Sequence, residues 1–243
     1  MSGHSKWANI KFKKGKTDAI RGQVTTKIGR EITIAVRMGG ADPTGNMKLK
    51  LALYKAKANN VPKDNIKRAI AKGVGASDAS NYEEITYEGY GPAGVAIMVS
   101  TLTDNRNRTA AEIRHTFSKG GNMGETGCVG WMFKRKGVFS VAKENGPSEE
   151  DLMMMVLDAG AEDIKTEDEG YEIITSPEDY DAVEKVLSDN NIEVAMSEIS
   201  MIPDTMVTVS GDDAAKVQRM IDGFEELDDV QDVYTNADLP DEE

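Results

Sequence analysis

Cysteine is nearly missing from this 243-residue chain: Cys128 stands alone, so no intramolecular disulfide can form and a reducing compartment is expected. Histidine is almost as scarce, and His4 and His115 cannot supply a standard zinc site. The many carboxylates lack the Asp-x-Asp-x-Asp-Gly spacing of a calcium loop, so neither a metal nor a cofactor is expected. Cys128 with His115 is the sole candidate for a thiolate pair, and nothing in their spacing predicts contact; Cys128 reads as a small core hydrophobe and no enzyme is expected. Long apolar runs are lacking too. Val95-Ala96-Ile97-Met98-Val99 falls far short of the roughly 20 residues that span a bilayer, and the opening MSGHSKWANIKFKK has no apolar h-region. A soluble, cytoplasmic protein with no membrane partner is the expectation.

What the chain has in quantity is charge, unequally shared. Residues 1–75 carry 17 Lys+Arg against 4 Asp+Glu, a net of +13, whereas residues 76–243 carry 12 against 38, a net of −26. A one-sign cluster sets the local field, so the basic third should meet a polyanion while the acidic remainder is pushed away from it.

The basic third divides into an arm and helices. Lys6, Trp7, Lys11, Phe12, Lys13, Lys14 and Lys16 alternate aromatics with cations and show no helical or strand period. Bases stack on aromatic faces while ammonium groups neutralise phosphates, each stacked base contributing roughly 1 to 3 kcal/mol. Packing of Trp7 and Phe12 on the domain itself is the competing account. The stripe Ile20, Val24, Ile28, Ile32, with Ala35 and Val36, predicts a first helix that ends at Gly39-Gly40 before Pro43. A second is expected from Asn46 to Asn59, with Leu49, Ala52, Leu53 and Ala56 inward and Lys48, Lys50, Lys55 and Lys57 on the flanks. Pro62 opens a third, which carries Lys63, Lys67 and Arg68 and stops at Gly73. The lysines and Arg68 are assigned to phosphate neutralisation.

Three stretches carry a family resemblance: Ser2-Gly3-His4-Ser5-Lys6-Trp7-Ala8-Asn9-Ile10-Lys11, Asp104-Asn105-Arg106-Asn107-Arg108-Thr109, and Gly120-Gly121-Asn122-Met123-Gly124-Glu125-Thr126-Gly127. Together they resemble the YebC family over essentially the whole chain. That resemblance implies a three-domain protein, described in bacteria as a probable transcriptional regulator and in mitochondrial relatives as a translational activator acting with the ribosome.

Beyond residues 74–82, which read as a small polar linker, the body reads as α+β. From Val138 the order strand, helix, strand, strand, helix, strand to Ile202 makes a complete βαββαβ unit, with Ser148 and Asp151 as a capping box and Ser176-Pro177 opening its second helix. On either side lies half of a second such fold: strand Val95 to Leu102, helix Arg108 to Lys119 and strand Gly130 to Phe133 before it; strand Met206 to Ser210, helix Asp212 to Leu227 and strand Val230 to Thr235 after it. The fold class is therefore α+β, a basic N-terminal three-helix domain followed by two ferredoxin-like α+β domains, one inserted into the other. Boundaries fall at 1–75, at 83–135 with 204–236, and at 136–203. Residues 237–243 read as a disordered acidic tail.

Within the body, Arg106 and Arg108 sit where a strand turns into a helix, a place whose free backbone donors favour phosphate; capping by Asp104 or Asn105 is equally compatible. Gly120, Gly121, Asn122, Met123 and Gly124 read as a mobile, glycine-rich connector, able to probe a partner such as a ribosomal cavity or simply to flex. Met153, Met154 and Met155 read as core or interface filler. The expected activity is non-enzymatic regulation of gene expression through nucleic acid, ribosomal RNA or DNA. It leans to RNA and translation activation, because an aromatic and lysine arm suits unstacked bases. The alternatives are a regulator on promoter DNA and an acidic adaptor that binds other proteins.

Overall fold

The computed structural model describes residues 18–75, 82–144, 146–167 and 170–240. The expected arm and most of the expected linker lie outside these residues. Three helices, α1 (Asp18–Gly39), α2 (Met47–Ala58) and α3 (Lys63–Val74), come first. Their shared core holds Ile28, Ile32, Ala35, Val36, Leu49, Ala52, Ala56 and Ala69, with Val24, Leu53, Ile66 and Ile70 at its margin. A buried aliphatic side chain contributes roughly 1.5 to 3 kcal/mol, so this stripe suffices to bring the helices together. Asn46 ties two of them: its side chain accepts from Leu49 N at the start of α2 and donates to the carbonyls of Ala35 and Gly40 at the end of α1. Gly73 lets α3 approach α1 closely, since a Cβ there would lie 2.7 Å from Val36 Cβ.

The body begins with β1 (Glu83–Tyr90), turns through Pro92–Gly94 into β2 (Ala96–Thr103), and continues with α4 (Arg106–Ser118) and β3 (Asn122–Met123). After a 3-10 turn at Gly130–Met132 come β4 (Phe133–Ala142), α5 (Glu149–Leu157), β5 (Ala161–Thr166), β6 (Gly170–Thr175), α6 (Tyr180–Asp189) and β7 (Val194–Pro203). The chain closes with β8 (Val207–Thr208), α7 (Gly211–Glu225), β9 (Val230–Thr235) and β10 (Ala237–Asp238). Two compact units result, one from 22–134 with 202–240 and one around 135–201.

In the smaller unit the sheet order is β5-β6-β4-β7, with β4 antiparallel to β6 and β6 to β5. This is the order that a βαββαβ chain takes in a ferredoxin-like fold. Ser148 caps α5 as its spacing to Asp151 predicts, accepting from Asp151 N at 3.2 Å. Leu152 and Val156 turn inward and Phe139 stacks on Tyr180 at 4.6 Å. Of the core and interface roles expected for Met153 and Met154, exposures of 37 % and 69 % leave out the core, because it is the i, i+4 pair Leu152 and Val156 that is buried.

The larger unit's sheet runs β3-β1-β2-β9. Helices α4 and α7 cover it through Ile113, Phe117, Val217, Met220 and Phe224, where Phe117 meets Phe224 edge-on at 4.7 Å. Three sequence expectations are corrected here. Residues 83–90, given no strand, form β1, which pairs with β2 from Glu83↔Thr103 to Tyr90↔Ala96 and occupies an inner position of the sheet. Its three acids, Glu83, Glu84 and Glu88, obscure a period-two pattern of Ile85, Tyr87 and Gly89. Residues 130–132 are a 3-10 turn, and the edge strand is Asn122–Met123 instead, paired with Gly89 and Tyr90. Strand β8 leaves the main sheet and pairs in parallel with β10, so residues 237–239 are not a disordered tail: Ala237 is buried and Leu239 packs on the core.

Candidate nucleic-acid interface

The basic helical domain uses part of its charge to hold the acidic body. In α1, Lys27 Nζ donates to the carbonyls of Glu225 and Leu227, each at 2.7 Å, Gln23 Nε2 to Glu226 O at 3.2 Å, and Arg30 Nη1 to Asp228 O at 3.1 Å. These oxygens end α7, where carbonyls lack intrahelical partners and the helix dipole is negative. Burial lowers the Lys27 ammonium to about 8, against the raising influence of Glu225 and Asp228. Nothing in the sequence spacing singles out Lys27 or Arg30; their role exists only where two distant segments meet.

Lys55 is likewise withdrawn from the surface, a correction to its assigned phosphate role. Its Nζ lies 3.1 Å from Glu31 Oε2 and 2.7 Å from Asp232 Oδ2. Burial alone would lower its pKa, but attraction to Asp232 and Glu31 prevails and keeps the ammonium protonated well above its usual range. Lys48 reaches Glu84 at 2.6 Å with both side chains about half exposed, a contact that solvent and salt weaken. Lys50 lies 5.6 Å above the Tyr54 ring. Lys57 is exposed.

Helix α3 carries the outward charge. Lys63, Lys67, Arg68 and Lys72 are all exposed, with Asp64 the helix's one acid. Arg68 is braced by its own helix, donating to Asp64 O and Asn65 Oδ1. Lys72 was not among the expected residues; its i, i+4 relation to Arg68 is the signal that marks it.

At the strand-to-helix turn the capping account describes the geometry. Asn105 caps α4 by accepting from Arg108 N at 3.1 Å. Arg106 and Arg108 are both exposed, but the Arg108 guanidinium is engaged by Asp104 at 2.9 Å and by Asp229 at 2.6 Å, so it is not the open phosphate ligand expected. Asp229 also accepts from Thr103 and Thr109. Burial alone would raise its pKa; the hydrogen bonds from Arg108, Thr109 and Thr103 win and hold it below the usual carboxylate range. A cleft of about 440 Å³ beside it is lined by Arg30, Arg108, Asp104, Glu112, Asp228 and Asp229 among others. Acids predominate in that lining, so it is poorly suited to phosphate.

The glycine-rich segment is held in place, which corrects the expectation of a mobile connector. Gly121 N donates to Phe117 O and Gly124 N to Glu88 O, while Asn122 and Met123 pair with β1. Gly121 is needed because a Cβ would come within 2.3 Å of Tyr90 O, and Gly127 because its φ is +91°. Cys128 is partly buried rather than a core residue, and burial together with the nearby Glu88 pushes its thiol up, away from nucleophilic thiolate chemistry. Among the described residues no group of His, Cys, Asp and Glu is arranged to hold a metal ion, and no helix is long and apolar enough to cross a membrane.

The family model described as the TACO1/YebC protein N-terminal domain matches residues 5–76, and that of the TACO1/YebC second and third domain matches residues 82–237. The chain belongs to the TACO1/YebC family. A relative from Desulforamulus reducens, named a probable transcriptional regulatory protein, is 55 % identical over 97 % of this chain and 98 % of its own length. One of the same name from Carboxydothermus hydrogenoformans is 53 % identical over 99 % and 100 %. The crystal structure of a conserved hypothetical protein from Aquifex aeolicus superimposes with a TM-score of 0.76 at 42 % identity, covering 93 % of this chain and 94 % of that one.

Proposed function

We propose that this protein is a non-enzymatic, cytoplasmic regulator of gene expression that binds nucleic acid through its basic helical domain. The observation that carries the reading is the division of labour among the cations: Lys27, Arg30 and Lys55 bind the domain to its acidic body, yet α3 still turns Lys63, Lys67, Arg68 and Lys72 outward. The residues Lys6, Trp7, Lys11, Phe12, Lys13, Lys14 and Lys16 add aromatics and charge to the same domain, and Lys48, Lys50, Lys57 and Arg106 extend it. An aromatic and lysine arm suits unpaired RNA bases and favours a target on the ribosome, with activation of translation as the outcome. The relatives' name, probable transcriptional regulatory protein, favours the second reading, promoter DNA.

The test uses the whole chain, because α1 is fastened to α7 and removal of residues 1–75 would expose that face. Each phosphate contact contributes about 0.7 to 0.9 to the slope of log affinity against log salt. Lys63→Glu with Lys67→Glu and Arg68→Glu should weaken binding to RNA and DNA probes and flatten that slope by about 2 to 3. An unchanged slope and affinity would refute the assignment. Crosslinking in cells with sequencing of the bound nucleic acid separates the two targets: ribosomal RNA supports the first, promoters the second.

A further inference from the structure

The backbone carbonyl of Cys128 receives two exposed aromatic side chains. Trp131 Nε1 donates to it at 3.2 Å and Tyr90 Oη at 3.3 Å, yet Trp131 is 70 % and Tyr90 40 % exposed. The polar end of each ring is satisfied while its apolar surface stays in water, the reverse of the usual burial of a tryptophan. The mount is rigid. Glu88, itself 6 % exposed, accepts the amides of Gly127 at 3.0 Å, Val129 at 2.9 Å and Gly130 at 2.7 Å, gripping the backbone on both sides of Cys128. Burial would raise the Glu88 pKa, but these three donors lower it, so the anchor stays charged.

Along the chain, the stretch that leads into and through this mount differs in charge from the rest of the body. Seven of the twelve Lys+Arg in residues 76–243 fall within 106–136, against only Glu112 and Glu125, a local net of +5 in a body of −26. Arg108, Lys134 and Lys136 are ion-paired, but Arg106, Arg114 and Lys119 are exposed along α4 and its end. Two residues after Lys119, Gly121 lies against the Tyr90 carbonyl.

From this juxtaposition we infer that Trp131 and Tyr90 form a second nucleic-acid contact, a platform on which unpaired bases stack. The inference rests on the nucleic-acid reading above and extends it to the sheet domain. A duplex hides its base faces, so the ligand is single-stranded; the cationic segment draws its phosphates, and the fixed rings lose little freedom on binding. A protein partner would find the same rings attractive but would gain nothing from the positive field unless it were itself strongly acidic.

The chain has two tryptophans, Trp7 and Trp131, so Trp7→Phe leaves Trp131 as sole reporter. A single-stranded 16-mer RNA should quench that emission in step with binding. In the Trp7-containing chain, with a labelled 16-mer and anisotropy as readout, Trp131→Ala should weaken affinity about 5- to 150-fold without altering the salt slope, and Trp131→Phe should keep most of it. Binding that leaves the Trp131 emission and the Trp131→Ala affinity unchanged would overturn the platform while sparing the helical domain's role. No binding by the unmodified chain would overturn both.

Discussion

Arg108 grips Asp229 from two atoms at once: Nε at 3.2 Å and Nη2 at 2.6 Å both reach Oδ2. The hydroxyls of Thr103 and Thr109 reach the same oxygen at 3.0 and 2.8 Å. One carboxylate from the chain's C-terminal part therefore fixes the turn between β2 and α4. Asp229→Ala should lower stability by roughly 2 to 4 kcal/mol in urea unfolding, since it removes the shared acceptor of four donor atoms on three residues. The pH sign follows from the lowered pKa. The contribution is complete above the unfolded value of 3.8 and disappears as pH falls through the still lower folded value, so the gap between wild type and Asp229→Asn should hold to about pH 4 and shrink below it.

Lys27 should titrate apart from the other lysines. Its folded pKa of about 8 lies below the unfolded 10.5, so the folded state binds fewer protons between those values and stability rises with pH across that window. Side-chain NMR should place the Lys27 midpoint near 8, and stability relative to Lys27→Met should improve between pH 8 and 10.5. A midpoint near 10.5 would show that the ammonium at the end of α7 is not burdened by burial.

Glu88 is the anchor of the loop from Gly127 to Gly130. Glu88→Ala should speed hydrogen exchange at the amides of Gly127, Val129 and Gly130 by about 10- to 100-fold, because three charge-assisted bonds vanish together. In the wild type the same amides should stay protected as pH falls to the unfolded carboxyl value of 4.5 and lose protection below it, since the folded pKa is lowered. Equal exchange in both proteins would mean that the loop is held by other contacts.

Gly73 tests the contact of α1 with α3. Alanine gains up to about 1 kcal/mol in helix propensity, but its Cβ would meet Val36 Cβ at 2.7 Å and Thr33 O at 2.9 Å, and overpacking costs about 1 to 3 kcal/mol. Gly73→Ala should therefore destabilise, read as a lower urea midpoint, whereas Gly22→Ala, with nothing within 4 Å, should not.

The elements that could be read in advance were those whose signal is local. The four-residue stripe of α1, the capping box at Ser148 and the order of strands and helices after Val138 all sit within a few turns of chain, and each appears, although β4 begins earlier, at Phe133, and α6 later, at Tyr180 after a turn at 177–179 instead of at Ser176-Pro177. Strand β1 shows no clear sequence signal because Glu83 and Glu84 stay in solvent and the one buried acid, Glu88, is made tolerable by distant partners, the amides of Gly127, Val129 and Gly130. Lys55 and Arg108 looked like free cations for the same reason, since Asp232 and Asp229 that claim them lie 177 and 121 residues away.

Charge density and hydrophobic period are properties of neighbouring residues, and from them the chain alone established a cationic helical head and an anionic α+β trunk, while three motifs carried the family resemblance. Which cations remain available, which aromatics stay in water and which glycines are held against a strand were decided only by the folded arrangement. A pairwise Coulomb or packing interaction depends on distance through space, and separation along the chain does not encode it.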